Sequence, residues 1–358
     1  MTTTHHLIDP NATAQTVALF HNLGKLAGEH VLFGHQHATE YGHGWAADDE
    51  GDRSDVKSVT GAHPAVIGVD LNGLSNRPAD VIARNKTALR KAIVDHYNRG
   101  GLTTQSWHFD NPVSGTDFYF KDLRAVAAVA HIIPGGSHHE HYKEILGHIA
   151  DLAKTCVGKD GTLAPMVFRP YHEFDGDWFW WGAPHCSRED FISLWRFTVA
   201  YLRDTLDVHN FLYAFSPDCL FRTEAEFLDR YPGDEWVDMV GMDDYADFGR
   251  DGKYNVESGV KKLRIVSDYA QKAGKLAAFT ETGLESIADP MWWTDTLLPT
   301  LKADGLKLCY VLVWRNDITS PTHYYAPFPG HPSVPDFLKF RADSVPLFVD
   351  NVPPLYTE

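Results

Sequence analysis

Short apolar runs recur along the 358-residue chain, and amphipathic segments separate most of them. Several runs are rich in β-branched and aromatic residues, as strands buried in a parallel sheet are. The predicted strands are Val31–Gln36, Ala65–Leu71, Leu102–His108, Pro165–Tyr171, Asn210–Ser216, Val237–Asp243, Leu276–Thr282 and Leu308–Arg315.

The segments between these strands have apolar residues three and four positions apart, which predicts helices. The predicted helices are Thr13–Gly28, Pro78–Arg99, His138–Val157, Arg188–Leu206, Val256–Ala273 and Trp292–Ala303. Glycines at 100, 101 and 274 follow two of them, where a C-terminal glycine ends a helix. Strands that alternate with helices in this way predict an α/β protein with a (β/α)8 TIM barrel. Because no internal repeat or linker interrupts the pattern, we expect residues 1–358 to form a single catalytic domain.

Polar and aromatic side chains follow all eight predicted strands. In a barrel of this kind the loops after the strands form the catalytic face, so chemistry belongs at the C-terminal strand ends. Those ends carry His35-Gln36-His37, Asp70-Leu71-Asn72, Trp107-His108-Phe109-Asp110, His172-Glu173, Ser216-Pro217-Asp218, Asp243-Asp244-Tyr245, Glu281 and Trp314-Arg315-Asn316-Asp317. A barrel with a purely structural role would not require this crowding.

The segment from Phe168 to Gly182 places a carboxylic acid, Glu173, directly after His172 at the end of the fourth predicted strand. Apolar surroundings can raise the pKa of such a carboxyl enough for it to hold a proton near neutral pH. Four aromatic rings follow at positions 178–181, and indole faces suit the C–H faces of a sugar ring. This combination is typical of a glycosidase. At least one of three indoles should face the cleft: Trp178, Trp180 or Trp181.

A second carboxylate, Glu281, lies near the end of the seventh predicted strand, and the barrel brings it across the mouth from Glu173. Two carboxylates about 5–5.5 Å apart can hydrolyse a glycoside with retention, whereas roughly 6.5–9.5 Å favours inversion. We expect Glu173 to be neutral and Glu281 to be ionised, with Tyr245 able to hold it. Glu285, four residues further on, is the competing candidate but lies farther from the strand.

Taken together, these motifs resemble those of the β-mannanases of glycoside hydrolase family 26. The resemblance extends from Phe33-Gly34-His35-Gln36 to Trp314-Arg315-Asn316, and its most specific part is His172-Glu173 followed by residues 176–182. Trp107-His108, Asp243-Asp244-Tyr245 and Thr280-Glu281-Thr282-Gly283 stand in the same order as in that family. The resemblance implies retaining hydrolysis of β-1,4-mannosidic linkages in mannan, galactomannan or glucomannan and in manno-oligosaccharides.

The resemblance also implies a role for each matching residue. Glu173 would be the acid/base and Glu281 the nucleophile. Arg315 would contact the next sugar toward the non-reducing end, and Asp243 would orient Glu281 or Tyr245. The other substrate-binding residues would be Trp107, His108, His172, Trp178, Tyr245 and Trp314.

Three alternatives remain open at this point. The same barrel could act on another β-glycan, such as mixed-linkage β-glucan or β-1,3-xylan. His35 and His37 after the first strand, with Asp317 after the eighth, could instead bind a metal in a metal-dependent TIM-barrel hydrolase. A non-catalytic sugar-binding protein could also have kept the cleft. We expect no metal and no cofactor, because two carboxylates suffice for glycoside hydrolysis.

Charge and composition limit the classes of partner that the chain could bind. The net charge of −16, without any run of five basic residues, argues against nucleic acid, whose binding depends on clustered Lys and Arg. No apolar run reaches the 18 residues of a membrane-spanning helix. The first six residues have neither the basic nor the apolar segment of a signal peptide. By analogy with enzymes acting on large polymers, we nevertheless expect a secreted, periplasmic or cell-surface monomer.

The remaining candidate ligands lack regular spacing. The four cysteines lie 30, 33 and 90 residues apart, unlike metal-binding cysteines. Acidic residues around position 50 do not follow the spacing of a calcium loop, so we expect an exposed loop. These residues are Asp48, Asp49, Glu50, Asp52 and Asp55.

Overall fold

A closed barrel of eight parallel strands forms the centre of the computed structural model, which describes residues 6–47 and 52–357. Each strand pairs with the next in the chain, and the eighth pairs with the first at Gly34 and Leu312. The strands of this sheet are β1 (Val31–Gln36), β2 (Val66–Asp70), β3 (Leu102–Trp107), β4 (Met166–Pro170), β5 (Phe211–Phe215), β6 (Met239–Asp243), β7 (Leu276–Thr282), β8 (Tyr310–Val313) and the short β9 (Pro346–Leu347), which lies beside β1. A separate short hairpin pairs Tyr41–Gly42 with Trp45–Ala46. The predicted (β/α)8 barrel is confirmed.

Helices connect the strands on the outside of the barrel. They are α1 (Ala14–Leu26), α2 (Asp55–Thr60), α3 (Ala79–Asn98), α4 (Val129–Ile132), α5 (His139–Ala153), α6 (Arg188–Ala200), α7 (Glu224–Phe227), α8 (Val256–Ala273), α9 (Leu298–Leu301) and α10 (Val334–Ala342). A wider π-helical turn extends α6 over Tyr201–Thr205, and another over Trp293–Leu297 leads into α9. All six predicted helices are present. The pattern missed α2, α4, α7 and α10, which are short and therefore leave little periodicity to detect.

The core has two parts, as expected for a barrel whose strand residues alternate in direction. Leu32, Val66 and Leu212 belong to the inner part, which also includes Phe20 of α1. This helix closes the N-terminal end of the barrel, where the Cys309 thiol contacts the carbonyl of Leu23. The opposite end therefore remains available for a site.

The outer part of the core lies between the strands and the surrounding helices. Phe33 of β1 is fully buried there and its ring contacts the rings of Trp293, Phe337, Phe340 and Phe348, with centroids 5.0–6.0 Å apart. This aromatic cluster joins β1 to α10, to the π-helical turn before α9 and to the segment after β9. It therefore connects the last helices of the chain to the first strand.

The expected exposed acidic loop is only partly correct. Asp48, Asp49 and Glu50 lie outside the described residues, and the Asp52 side chain is exposed. Asp55, by contrast, is buried at the start of α2. Its carboxylate accepts hydrogen bonds from the Trp45 indole (2.7 Å), the His43 amide (2.7 Å) and the Asn316 side chain (2.8 Å). The prediction was wrong for Asp55 because donors distant in sequence satisfy this buried charge.

Two further features bear on the sequence expectations. Across residues 6–47 and 52–357, no helix has both the length and the apolar character needed to cross a membrane. Cys156, Cys186, Cys219 and Cys309 are all free thiols, and only Cys186 is not fully buried.

We predict that Phe33→Ala lowers the free energy of unfolding by about 3–5 kcal/mol, because it leaves a cavity in the aromatic cluster. Leu338→Ala on α10 is the control, since 41% of the Leu338 side chain is exposed and its loss should matter little. Denaturant unfolding followed by circular dichroism measures both. Equal midpoints for the two variants would contradict the proposed connection through Phe33.

Candidate active site

A tight turn after β4 places Glu173 at the barrel mouth. Tyr171 and Glu173 both adopt left-handed backbone conformations, with φ of 52° and 53°. Such strain persists only where surrounding contacts hold it, and it concentrates at functional positions. Here the Glu173 amide donates a hydrogen bond to the Ser216 carbonyl at 3.0 Å, which fixes the turn to the end of β5.

Trp178 folds over Glu173, and its indole N–H donates to Glu173 Oε2 at 2.6 Å. The fold-back requires Gly176, because a Cβ at that position would lie 2.3 Å from the Trp178 ring. The pKa of Glu173 is raised well above its usual value, first by burial and then by the charges of Asp218, Asp243 and Glu281. The Trp178 hydrogen bond acts in the opposite direction but does not prevail. Glu173 is therefore suited to deliver a proton.

Glu281 lies on β7 with its carboxylate buried between two donors. The Tyr245 hydroxyl donates to Glu281 Oε2 at 2.9 Å, and the Arg169 guanidinium donates to Oε1. A cation and a phenol directed at one carboxylate form charge-assisted hydrogen bonds that fix its position. Glu281 is thus held at the barrel mouth by two donors from other parts of the barrel.

Arg169 on β4 is the functional residue that the sequence analysis missed. It is 1% exposed, and besides Glu281 it donates to Asp243 Oδ2 at 2.8 Å and to Ser216 Oγ at 3.0 Å. Asp243 also accepts a hydrogen bond from the Thr280 hydroxyl at 2.6 Å. Asp243 therefore orients Glu281 through Arg169. An arginine within a fully buried strand was the available signal, because a buried charge requires a partner.

Two histidines line the same mouth. His108 Nδ1 forms a hydrogen bond with the Asp70 carboxylate. Burial raises the pKa of Asp70, but His108, His37 and the Asn72 amide together lower it to about 2. The His172 ring packs edge-on against His108, with centroids 4.6 Å apart. Burial, Arg169 and His108 together hold the pKa of His172 well below its usual value. His172 is therefore neutral and can form hydrogen bonds without adding charge beside Arg169.

Trp314 and Arg315 line a cavity of about 430 Å³ next to this centre. Trp314 is half-buried and packs near His108, while Arg315 forms an ion pair with Asp317 at 2.6 Å. The residues that line this cavity are His37, Asp70, Asn72, His108, Phe118, Tyr119, Trp314, Arg315 and His323. A second cavity of about 400 Å³ reaches Tyr245 and Tyr325 on the side of β6 and β7.

The indoles divide into one at the cleft and several in the core. Trp178 is half-buried, whereas Trp180 and Trp181 are fully buried and donate to the carbonyls of Phe109 and His172. The expectation that at least one indole faces the cleft therefore agrees with the position of Trp178.

Trp107 does not line the cleft, contrary to its assignment from the resemblance. It is 0% exposed, its ring stacks on Phe109 with centroids 4.2 Å apart, and its indole N–H donates to Ser75 Oγ at 3.2 Å. Trp107 packs instead against the rings of Tyr142, Phe168 and Tyr171. A strand residue and the residue after it point in different directions, so sequence adjacency did not place Trp107 in the cleft.

Among the described histidines, cysteines and acidic residues, one group is close enough to hold a metal, namely His172, Asp243 and Glu281, whose candidate atoms lie within 4.8 Å of one another. Both carboxylates already form ion pairs with Arg169, whose positive charge takes the place of a metal ion as their partner. The chemistry of this group therefore suits an anion–guanidinium network and does not suit a metal.

The other metal candidates do not converge. His37 Nδ1 bonds to Glu40 at 2.6 Å, and Asp317 pairs with Arg315. Within the described part of the chain, His35, His37 and Asp317 form no metal-ligand cluster. The arrangement thus offers no support for the metallohydrolase alternative.

Comparisons with known proteins agree with this geometry. A family model described as Glycosyl hydrolase family 26 matches residues 8–290. The structure of GH26C from a Muricauda species superposes with a TM-score of 0.91 and 38% identity over 98% of this chain and 95% of that one. The GH26 beta-mannanase BoMan26A from Bacteroides ovatus superposes with a TM-score of 0.88 and 41% identity over 97% and 98%.

A curated relative shows the same similarity in sequence. The chain is 40% identical over 287 residues to a mannan endo-1,4-beta-mannosidase of Bifidobacterium adolescentis, which is 78% of this chain but 28% of the bifidobacterial protein. It covers 53% of a mannan endo-1,4-beta-mannosidase of Bacillus subtilis, at 27% identity. The chain thus spans only part of the length of these two curated relatives.

We predict that Arg169→Gln lowers the free energy of unfolding by about 3–5 kcal/mol, because it leaves two buried carboxylates without a cation. Burial raises the pKa of Asp243, and without Arg169 only protonation can relieve the repulsion. A group whose pKa is raised on folding contributes stability at low pH and loses it as the pH rises. The stability deficit should therefore be smaller at pH 5 than at pH 8.

Denaturant unfolding at both pH values tests this expectation. Arg84→Gln is the matched control, because Arg84 forms an exposed ion pair with Asp80 that should contribute less than about 1 kcal/mol. A deficit for Arg169→Gln that does not depend on pH would contradict the ionic role.

Proposed function

Because the chain belongs to glycosyl hydrolase family 26, we propose that it hydrolyses β-1,4-mannosidic linkages with retention of configuration. The substrates would be mannan, galactomannan or glucomannan and manno-oligosaccharides. The observation that carries this proposal is the contrast between Glu173, whose pKa is raised by burial and neighbouring anions, and Glu281, which accepts from Arg169 and Tyr245. The names of the Bifidobacterium and Bacteroides relatives support the choice of mannan.

In the first step Glu281 attacks the anomeric carbon, and Glu173 donates its proton to the glycosidic oxygen as the bond to the leaving sugar breaks. The product is a covalent glycosyl-enzyme. In the second step the ionised Glu173 takes a proton from water, and that water releases the sugar from Glu281. Two inversions at the anomeric carbon give net retention.

Asp243 gives this cycle a constant counter-charge. When Glu281 forms the ester it loses its negative charge, and Arg169 would otherwise be left as an unpaired buried cation. The Asp243 carboxylate, 2.8 Å from Arg169 Nη1, keeps the guanidinium neutralised in both steps. The free energy of the covalent intermediate is lower because Arg169 is never left as an unpaired buried cation.

Substrate placement follows from the two cavities. The exposed part of Trp314 offers an apolar face to the sugar being cleaved, beside His108, His172 and Tyr245. Arg315, in the same cavity, is placed to bind the hydroxyls of the next sugar toward the non-reducing end. The cavity near Tyr325 leaves room for a chain that continues along the mouth.

We further propose that the protein acts outside the cytoplasm, in a secreted, periplasmic or cell-surface position, because polymeric mannan cannot cross a membrane. We also propose a monomer as the active form, since one chain supplies both Glu173 and Glu281.

We predict that Glu173→Ala slows hydrolysis of unsubstituted mannan by about 10²–10⁴-fold, the usual contribution of a general acid. The first step on an aryl β-mannoside with a good leaving group should be largely spared, because that leaving group needs no proton. Pre-steady-state release of the phenol would then show a burst as the glycosyl-enzyme accumulates. Equal losses on both substrates without a burst would refute the acid/base assignment.

We expect Glu281→Ala to abolish turnover of both substrates, because no nucleophile remains. Glu285→Ala is the control variant: Glu285 is exposed and pairs with His323 at 2.7 Å, so its activity should be close to that of the wild type. If Glu281→Ala kept wild-type turnover, or if only Glu285→Ala lost activity, the nucleophile would be Glu285 and not Glu281.

Incubation with β-1,4-mannan and mannohexaose, with products resolved over time, tests the substrate directly. Mixed oligosaccharides at early times would indicate internal cleavage, whereas mannobiose alone from the outset would indicate action at chain ends. Activity on lichenan or β-1,3-xylan with none on mannan would overturn the choice of sugar and leave the retaining mechanism in place.

A further inference from the structure

Next to the catalytic pair lies a second set of carboxylates that the mechanism above does not use. Asp218 follows β5, and the Asp175 carboxylate fixes its position by accepting from the amides of Asp218 (2.6 Å) and Leu220 (3.3 Å). Asp175 is only two residues from Glu173. The acid/base turn and the loop that carries Asp218 are therefore tied together through a side chain.

Backbone hydrogen bonds hold the same loop from both sides. The Glu173 amide donates to the Ser216 carbonyl at 3.0 Å, and the Asp243 amide donates to the Pro217 carbonyl at 2.9 Å. Asp218 comes next in the chain after these two acceptors. Its position between the turn of Glu173 and the end of β6 is thus determined by the barrel.

We propose that Asp218 is a positioning residue for the acid/base step, whose negative charge opposes ionisation of Glu173 and so keeps the proton available for the leaving group. This inference rests on the proposed function only in naming Glu173 as the acid/base. Asp218 would touch neither the sugar nor the reacting atoms.

The charges around Glu173 distinguish Asp218 from its neighbours. The ionisable groups that act on or face Glu173 are Tyr119 after β3, Asp218 after β5, Asp243 and Tyr245 at the end of β6, and Glu281 on β7. Arg169 pairs with Asp243 and Glu281 and offsets both. Within the described residues Asp218 has no ion-pair partner, so its charge is not offset in this way.

The electrostatics agree with this geometry. After burial, the charge of Asp218 contributes more to the raised pKa of Glu173 than those of Asp243 and Glu281. Burial, Asp175 and Asp244 raise the pKa of Asp218 itself to about 7. Asp218 therefore gains its charge near neutral pH, and that charge then opposes ionisation of Glu173. The charge of Asp218 should therefore keep the enzyme active at higher pH than would be possible without it.

The test is Asp218→Asn, which removes the charge and keeps the shape. We expect the alkaline limb of kcat/KM on mannohexaose to move to lower pH, because Glu173 then ionises more easily. Activity should fall about threefold to tenfold at pH 8 and by less than about twofold at pH 5, since one pKa unit corresponds to a tenfold change. The KM should stay near that of the wild type.

Two variants separate charge from structure. Asp218→Glu retains the carboxylate and should restore most of the alkaline limb. Asp247→Asn is the matched control, because Asp247 lies in the neighbouring loop, pairs with Lys262 at 2.7 Å and is not among the main charges that raise the pKa of Glu173. Its pH profile should keep the wild-type shape. If Asp218→Asn does not fold, Asp218→Ser removes the charge with a smaller polar side chain.

A readout without substrate makes the result independent of the sugar. Because the Trp178 indole bonds to Glu173, ionisation of Glu173 should change tryptophan fluorescence. At each pH, the fluorescence of each protein is compared with that of the same protein carrying Glu173→Gln. The difference between the two gives the titration curve of Glu173. A lower midpoint in Asp218→Asn supports the inference even if mannan is not cleaved, and in that case only the proposed substrate fails. An unchanged midpoint together with an unchanged alkaline limb overturns it.

Discussion

The bridge that Arg169 forms between Asp243 and Glu281 is the interaction on which the active site depends. Three charged groups buried in a barrel mouth would cost several kcal/mol each if they were unpaired. Their arrangement on β4, β6 and β7 instead pairs the guanidinium with both carboxylates, and Ser216 and Thr280 add hydrogen bonds to the network. Glu281 and Asp243 can be buried side by side because this bridge exists.

The same bridge gives Glu281 electrostatic surroundings that differ from those of Glu173. Glu281 faces a guanidinium and a phenol, whereas Glu173 has an indole N–H as its donor and several anions around it. Two side chains of the same type therefore have contrasting electrostatic surroundings, as the proposed retaining mechanism requires. The difference arises from partners on other strands and not from either glutamate itself.

This dependence on distant partners explains what could be predicted from the sequence. β1 and β7 have the predicted bounds, because a buried parallel strand leaves a continuous apolar run. The roles of Glu173 and Glu281 stay predictions, and both residues were singled out by their positions at strand ends within matching motifs. Arg169 and Asp55 were not, since each is stabilised by groups more than 10 residues away that no local pattern reveals. The assignment of Trp107 to the cleft was wrong for a related reason, because the burial of a side chain depends on packing from several elements.

Rigidity links the fold to the chemistry. Beyond the ends of the strands the barrel ladder continues through loop amides: Glu173 donates to Ser216, Asp243 to Pro217 and Asp244 to the Glu281 carbonyl. The strained turn at Glu173 is thus held by the same kind of bond that holds the strands together. Preorganised groups need not be reoriented during the reaction, which is the main source of electrostatic catalysis. A family that varies its loops can therefore change the distal part of the cleft while the positions of the two carboxylates remain set by the barrel.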